Sequence, residues 1–265
     1  VIASHSQMDH FGGLLNILEM VGDRFAGELH FNQDSMLAMP VASDREKNLA
    51  GKRLRALLHR ARQYGERLRH ATPTSSPVVV GSLSVDILSP TPYEVVTAVA
   101  TNDPNLASAV VVLRTEGRSI VLGADAQMST WERIADQLPK GAIVRWPHHG
   151  GSIGPAGSHA RLIAILEPTD VLVSVGATNS YGHPSTEFFT AAQSMPAVLR
   201  CTQATSTCAA GGGRLGPCAG AIRVEFSGRN GTLITTEVAD HDERIEALGN
   251  AQCRRRPDRE GSRAD

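Results

Sequence analysis

The sequence predicts an α/β fold, because apolar runs typical of strands alternate along the chain with runs of helical periodicity. The 25 glycines and 14 prolines supply the many turns that a layered fold needs. A length of 265 residues corresponds to one large domain or two small ones, and 41% hydrophobic residues are enough for a sizeable core.

Charge and cysteine content exclude several classes of protein. The 26 Lys and Arg residues nearly balance 27 Asp and Glu, which argues against a chain that is basic throughout and wraps nucleic acid. Four cysteines are too few for a disulfide-stapled scaffold and favour a reducing compartment. No apolar run is long enough to span a bilayer. We therefore expect a cytoplasmic protein without a membrane segment in this chain.

The first third of the chain predicts a strand, a loop and helices in turn. Residues 1–4 are apolar and predict the end of a buried strand, while residues 5–13 are polar, end in glycine and predict a loop. Residues 14–21 have leucines at helical spacing and predict a helix, and residues 29–32 predict a short strand. Residues 44–69 have a long helical pattern and form the one strongly basic segment.

The remainder of the chain alternates β-rich runs with helical patterns. The predicted strands are residues 78–80, 83–88, 109–113, 119–122, 143–146 and 171–175. The predicted helices are residues 130–138, 160–166 and 186–193. Residues 221–226 and 232–238 predict a closing hairpin. We expect residues 1–239 to form one domain and residues 240–265, which mix charges of both signs, to form a short helix and a disordered tail.

Four polar clusters share one position, directly after a predicted strand. They are residues 5–10, 123–125, 147–150 and 181–184. Strand ends that open into loops are where α/β sheets gather binding groups, and imidazoles with carboxylates are the donors that transition metals prefer. The sequence therefore predicts a metal site.

The candidate ligands come from all four clusters. His5, Asp9 and His10 can converge if the backbone turns tightly, and Asp125 could bridge two metals. His148 and His183 could complete the coordination shell of the metal from the opposite side. The other histidines are expected to be ordinary hydrogen-bonded residues: His30, His59, His70, His159 and His241.

These residues resemble the metallo-β-lactamase fold superfamily, whose hallmark is His-x-His-x-Asp-His after a strand. The run here contains His5, Gln7, Asp9 and His10. Within that superfamily, four further motifs look most like the soluble domain of the competence protein ComEC. They are Ser-Ala-Val-Val at 108–111, Gly-Ala-Asp at 123–125, Pro-His-His-Gly at 147–150 and Tyr-Gly-His-Pro at 181–184. The match covers about residues 1–226.

The resemblance implies an αββα sandwich, here incomplete at the N-terminus because the family's first strands precede the hallmark. It also implies one or two bound ions, Zn²⁺ or possibly Mn²⁺. Gln7 replaces the second hallmark histidine, and an amide is a weaker ligand than imidazole. We expect one firmly bound metal and a second that is weak or absent.

The implied activity is hydrolysis by a metal-activated water, most simply of a phosphodiester, with DNA as a possible substrate. Asp9 would ligate the metal and orient the nucleophile. His148, His149 and His183 are candidates for metal ligand, proton donor to the leaving group and oxyanion stabiliser, with His148 favoured as the ligand and His149 as the catalytic residue. Arg53, Arg55 and Arg60 of the basic segment, with Asn179, are the predicted substrate-binding residues: phosphates need cations beside the cleft. An equal alternative for the basic segment is a solvated helix face.

Two other functions remain open on the sequence alone. The same fold could hydrolyse a thioester or lactone in a more apolar pocket. A binding or regulatory domain whose metal site has decayed is the other alternative, and Gln7 is its main support.

Three cysteines lie within one glycine-rich stretch: Cys201, Cys208 and Cys218. They could hold a structural zinc with Cys253 as a fourth ligand, but the spacing fits no common zinc module. Free thiols are the favoured interpretation.

Overall fold

The computed structural model describes residues 1–5, 7–31, 44–73, 76–207, 216–227 and 231–238, and it confirms the α/β class. The chain divides into two compact units. The first comprises Val1–Leu113 and Gly123–Gln137, and the second comprises Arg114–Leu122 and Leu138–Asp265.

The first unit contains short strands and most of the described helices. Its helices are α1 (Met8–Phe11), α2 (Leu14–Val21), α3 (Asp44–Arg62), α4 (Pro92–Thr101) and α5 (Met128–Arg133). Its strands are β1 (Leu29–His30), β2 (Leu68–Arg69), β3 (Val78–Val80), β4 (Leu83–Ser89) and most of β5 (Val110–Thr115). β1 pairs with β2 in parallel, whereas β3 and β4 form an antiparallel hairpin with β5 on the other side of β4.

The core of the first unit lies between α2 and α3. Leu14 and Leu18 of α2 are buried together with Leu54, Leu57 and Ala61 of α3. The spacing of three and four residues places these α3 side chains on one helix face, as the amphipathic pattern predicts. Phe11 of α1 joins the same cluster, so the short helix that follows His5 is anchored in the core.

The second unit has a parallel sheet with helical crossovers. Its strands are β6 (Arg118–Leu122), β7 (Ile143–Arg145), β8 (Asp170–Val173), β9 (Val198–Cys201), β10 (Gln203–Ala204), β11 (Gly216–Pro217), β12 (Ile222–Ser227) and β13 (Gly231–Thr236). Its helices are α6 (Ser158–Leu166) and α7 (Thr186–Ala192). β6 to β9 pair in parallel and in chain order, and β12 and β13 form the predicted antiparallel hairpin.

Parallel pairing determines where the polar loops of this unit lie. β7 and β8 are neighbours, so their carboxyl ends open at the same edge of the sheet. The 3₁₀ turn Pro147–Gly150 follows β7, and Ser174 follows β8. The loops with His148 and His149 therefore start beside the end of β8.

Several predicted helices, strands and loops differ from the structure in their first or last residues. Residues 1–4 form only a single parallel bridge, between Ile2 and His30, rather than a strand. The predicted loop 5–13 contains α1. α3 ends at Arg62, and the chain then forms the 3₁₀ turn Gly65–Arg67 and β2 instead of continuing to residue 69. α5 begins at Met128 and ends at Arg133, after which Ala135–Gln137 form another 3₁₀ turn.

A second helix that the sequence patterns did not predict is α4. It begins with a capping box: the Glu94 backbone N–H donates to Thr91 Oγ1 at 3.2 Å, and the Thr91 N–H donates to Glu94 Oε2 at 2.6 Å. Pro92 occupies the first helical turn, where a missing N–H costs nothing. The sequence Thr-Pro-x-Glu at residues 91–94 was therefore the available signal for the start of a helix. The β-branched residues that follow it favour strands and obscured that signal.

Some predictions concern residues outside the described part of the chain. The tail 240–265, Cys208 and Cys253 lie there, and the single-domain assignment of residues 1–239 stays a prediction. Cys201 and Cys218 are both buried. None of the helices among the described residues is both long and apolar enough to cross a membrane.

Candidate metal centre

Two imidazoles and a carboxylate meet in the first unit, at His5, His10 and Asp125. One donor atom from each lies within 4.8 Å of the others. His10 Nε2 is 3.2 Å from Asp125 Oδ1, and His5 Nε2 is 3.8 Å from Asp125 Oδ2. The two rings lie 4.0 Å apart between centroids. Residues 120 positions apart in sequence are thus brought together, as the sequence predicts for this cluster.

A dipeptide, Ser108-Ala109, joins the two chain segments that contribute these side chains. The Ala109 N–H donates to the Ser4 carbonyl at 3.0 Å, next to His5. Ser108 Oγ accepts from the Asp125 N–H at 3.3 Å. The same two residues therefore hold both the histidine segment and the Asp125 turn.

The histidine rings have a common neighbour on their other side. Ser4 Oγ lies 3.2 Å from His5 Nδ1 and 3.1 Å from His10 Nδ1. Each ring therefore directs Nδ1 at Ser4 and Nε2 at Asp125. A metal-binding imidazole typically has such a second partner, which fixes the orientation of the ring.

Burial keeps His5 in the form that can bind a metal. The side chains of His5 and Asp125 are 0% and 1% exposed. Desolvation, followed by the nearby His10, lowers the pKa of His5 to about 4, although Asp125 and Gln7 oppose the shift. His5 is consequently neutral at pH 7, and neutral imidazole is the form that coordinates metals.

Gln7 and Asp9 lie at the edge of this cluster. Gln7 Oε1 is 3.3 Å from His5 Nε2, the nitrogen that faces Asp125. Asp9 Oδ2 is 3.6 Å from His10 Nε2, and the Asp9 side chain is 59% exposed. Asp9 therefore combines closeness to the cluster with access to solvent.

The donor set fits a divalent transition metal. Two imidazole nitrogens and a carboxylate oxygen are ligands that zinc and manganese accept, and the buried Asp125 carboxylate brings a negative charge that a cation can balance. The residues of the first unit alone supply three ligands.

In the second unit, His148 and His149 occupy a strained turn. Both have left-handed backbone torsions, with φ of 50° and 52°, a conformation that is rare outside glycine and clusters at functional sites. His148 Nδ1 lies 2.6 Å from the Ser152 carbonyl and His149 Nδ1 lies 2.6 Å from the Ser174 carbonyl. A carbonyl only accepts, so each Nδ1 carries a proton and donates it to its carbonyl partner.

His183 lies on a loop that Asn179 stabilises. The Asn179 amide donates to the Gly176 and His183 carbonyls and accepts from the His183 N–H, each at 2.8 Å. The His183 ring contacts His148 edge-on at 5.1 Å between centroids and stacks on the exposed Tyr181 ring at 5.7 Å. Asn179 therefore maintains the loop, and its predicted contact with substrate stays a prediction.

The three predicted substrate arginines differ in their surroundings. Arg53 is half-buried and donates through Nη1 to the Gly12 carbonyl at 2.7 Å, just after α1. Arg60 donates to Gln63 at 2.6 Å and lies over the Tyr64 ring. Arg55 is exposed. Arg53 and Arg60 thus have structural contacts, and Arg55 is the member of the three that solvent reaches most freely.

Two of the histidines predicted to be ordinary are confirmed as such. His30 Nε2 is 3.0 Å from Glu28 Oε2. The Trp146 indole N–H donates to His159 Nδ1 at 3.2 Å, and burial lowers the pKa of His159. The sequence reasoning did not single out Ser4, whose role shows only once both rings are placed around its hydroxyl.

Comparisons with known proteins give a limited result. No model of a known protein family matches the sequence, and no curated protein matches it either. Among solved structures, the chain is similar to the metallo-beta-lactamase fold protein YhfI from Bacillus subtilis, with 11% sequence identity, a TM-score of 0.41, and coverage of 76% of this chain and 73% of that one. A likeness at this level does not by itself assign a family or an activity.

Proposed function

We propose that this protein is a metal-dependent hydrolase of the metallo-β-lactamase fold, similar to the ComEC soluble domain, and that its substrate is a phosphodiester. The observation that supports this most is the buried group of His5, His10 and Asp125. Burying a carboxylate in a low-dielectric site is costly unless positive charge compensates it, and the nearby His5 is neutral at pH 7. A metal site is the simplest reason for such a group.

The proposed ligands in the first unit are His5, Asp9, His10 and Asp125, and the roles of His148 and His183 as ligands stay predictions from the sequence. Zn²⁺ is the expected ion, with Mn²⁺ as the alternative and one or two ions per chain. When bound, such an ion supplies a Lewis acid that activates water near neutral pH and polarises the scissile group.

The chain's own groups supply proton transfer and orientation. In its neutral form His149 has a lone pair on Nε2, because Nδ1 donates to the Ser174 carbonyl, so it can accept or return a proton at Nε2. Asp9 has an exposed carboxylate that can orient an attacking water. Each role needs access to solvent or substrate, which half-buried His149 and exposed Asp9 have.

The substrate class is supported by charge. Exposed Arg55 lies on α3, the basic helix, and a phosphodiester backbone such as DNA gains affinity from cations of this kind. Cysteine content favours a cytoplasmic setting for the reaction.

A second candidate, a metal-poor binding domain, is favoured by Gln7. Its Oε1 occupies the neighbourhood of His5 Nε2, where the family places an imidazole. Such a protein would bind a single metal ion or none and would not hydrolyse a substrate.

The test is hydrolysis of bis(p-nitrophenyl) phosphate by purified protein with Zn²⁺ or Mn²⁺, beside Asp125→Asn and Asp9→Ala. We expect metal-dependent release of nitrophenol that both substitutions abolish. Metal binding without hydrolysis would favour the binding domain. Hydrolysis of a thioester or lactone panel, but not of the phosphodiester, would contradict the proposed substrate class.

A further inference from the structure

The hydroxyl of Ser4 stands between two imidazoles, and this has a consequence for their protons. Ser4 Oγ is within hydrogen-bond distance of both Nδ1 atoms, at 3.2 Å from His5 and 3.1 Å from His10. A hydroxyl has one proton to donate and two lone pairs to accept with. It can therefore donate to one Nδ1 at most, and the other Nδ1 must carry its own proton and donate to Oγ.

The opposite nitrogens face groups that favour the other tautomer. Asp125 lies 3.2 Å from His10 Nε2 and 3.8 Å from His5 Nε2, and Gln7 Oε1 lies 3.3 Å from His5 Nε2. Oxygen acceptors draw a proton to Nε2, which would block that nitrogen as a ligand. Ser4 and these oxygens thus compete for the imidazole protons.

We propose that Ser4 is a positioning residue that holds at least one of His5 and His10 as the Nδ1–H tautomer, so that its Nε2 lone pair faces Asp125 and is ready for a cation. This inference rests on the proposed function for its purpose, because a lone pair aimed at a carboxylate is useful only when a cation lies between them. Its effect on the tautomers is a property of the metal-free protein.

The backbone keeps Ser4 in place for this role. The Ala109 N–H donates to the Ser4 carbonyl at 3.0 Å, and the preceding Ala3 N–H donates to the His30 carbonyl at 2.9 Å. Ala3 is buried in the core of the first unit. The hydroxyl is therefore presented from a segment anchored on both sides.

Long-range ¹H–¹⁵N spectra of the metal-free protein at pH 8 test the tautomers, with His5→Gln and His10→Gln used only to assign signals. We expect at least one of the two imidazoles to carry its proton on Nδ1 in the wild type and in Ser4→Thr. In Ser4→Ala, both rings should move to the Nε2–H form. Both rings in the Nε2–H form in the wild type, or an unchanged Ser4→Ala, would overturn the inference.

A competition titration of Zn²⁺ against a chromophoric chelator gives the second readout. Loss of an outer-shell partner typically weakens metal affinity by about 10- to 100-fold, and we expect this for Ser4→Ala but not for Ser4→Thr. Equal affinity of all three proteins would show that Ser4 does not prepare the site.

The two hypotheses fail differently. Tautomers that respond to Ser4→Ala in a protein that binds no zinc would contradict the proposed function and leave the control of the tautomers by Ser4 intact. Zinc binding and hydrolysis that Ser4→Ala leaves unchanged would overturn the inference alone. If Ser4→Ala does not fold, the wild-type spectrum still decides the tautomers.

Discussion

Gly151 lies directly against the imidazole of His183: a Cβ built on residue 151 would be 2.2 Å from His183 Cε1. Real Cβ atoms do not approach other heavy atoms so closely, so any side chain at 151 must displace the ring. The backbone of His183 is held by two hydrogen bonds with Asn179, which also donates to the Gly176 carbonyl. The absence of a side chain at 151 is therefore what gives the His183 ring its place.

Gly151→Ala is expected to move the His183 ring and to destabilise the protein by about 1–3 kcal/mol, the usual range for overpacking. Gly176→Ala is the matched control, because a Cβ there meets no atom within 4 Å. Urea unfolding and the His183 imidazole signals in NMR spectra measure both effects. A Gly151→Ala protein with the same stability and spectrum as the wild type would contradict the packing described.

His5 is expected to make the metal-free protein sensitive to mild acid. In the unfolded chain the imidazole takes up a proton near pH 6.5, whereas burial lowers its pKa to about 4 in the folded state. Between these values the unfolded state binds more protons, so the free energy of unfolding falls as the pH falls. The contribution is fully present above pH 6.5 and lost by pH 4, on the order of 3 kcal/mol.

Urea unfolding in EDTA from pH 7 to pH 4 measures this loss of stability. His5→Gln should flatten the dependence on pH, while substitution of exposed His59 by Gln should leave it unchanged. Equal slopes for wild type and His5→Gln would show that His5 does not carry the acid sensitivity.

The basic helix α3 combines a structural arginine with an exposed one. Arg53→Ala should cost about 1–2 kcal/mol of stability, because a hydrogen bond from a charged donor to the Gly12 carbonyl is lost. Arg55→Ala should change stability by less than about 0.5 kcal/mol.

If α3 binds DNA, Arg55→Glu lowers the affinity and reduces its salt dependence. DNA binding at low salt that Arg55→Glu leaves intact would remove this helix from substrate binding.

Gln7→His introduces an imidazole at the position where the His-x-His-x-Asp-His pattern that this sequence resembles has its second histidine. Gln7 Oε1 is already 3.3 Å from His5 Nε2, so a ring at residue 7 would add a donor beside the cluster. We expect the number of bound Zn²⁺ ions to rise toward two per chain, measured by elemental analysis after dialysis. An unchanged number would mean that residue 7 does not limit the second ion.

Periodicity and position predicted much of this architecture. The α/β class, the parallel strands β7 and β8 and the closing hairpin followed from local apolar patterns. The meeting of His5, His10 and Asp125 was expected from their positions in polar clusters after apolar segments, although residues 1–4 form a single bridge rather than a strand. These features depend on the alternation of strands and helices, which sequence patterns report well.

Other features depend on contacts that no local pattern contains. α3 ends at Arg62, and Tyr64, two residues later, is buried with side chains of α2. The hydrogen bond from Arg53 to the Gly12 carbonyl, 41 residues away, could not be predicted from the charge of Arg53 alone. The role of the Ser4 hydroxyl is visible only once the rings of His5 and His10, five residues apart in sequence, are placed around it.

The number of metal ions bound by wild type and by Asp125→Asn tests the central proposal most directly. Asparagine keeps the shape of the buried side chain and removes its charge, so the fold should survive, which circular dichroism checks. We expect at least one equivalent of Zn²⁺ per wild-type chain after dialysis, and little or none in Asp125→Asn. A wild-type protein that binds no metal, or an Asp125→Asn protein that binds as much as the wild type, would contradict a metal centre at His5, His10 and Asp125.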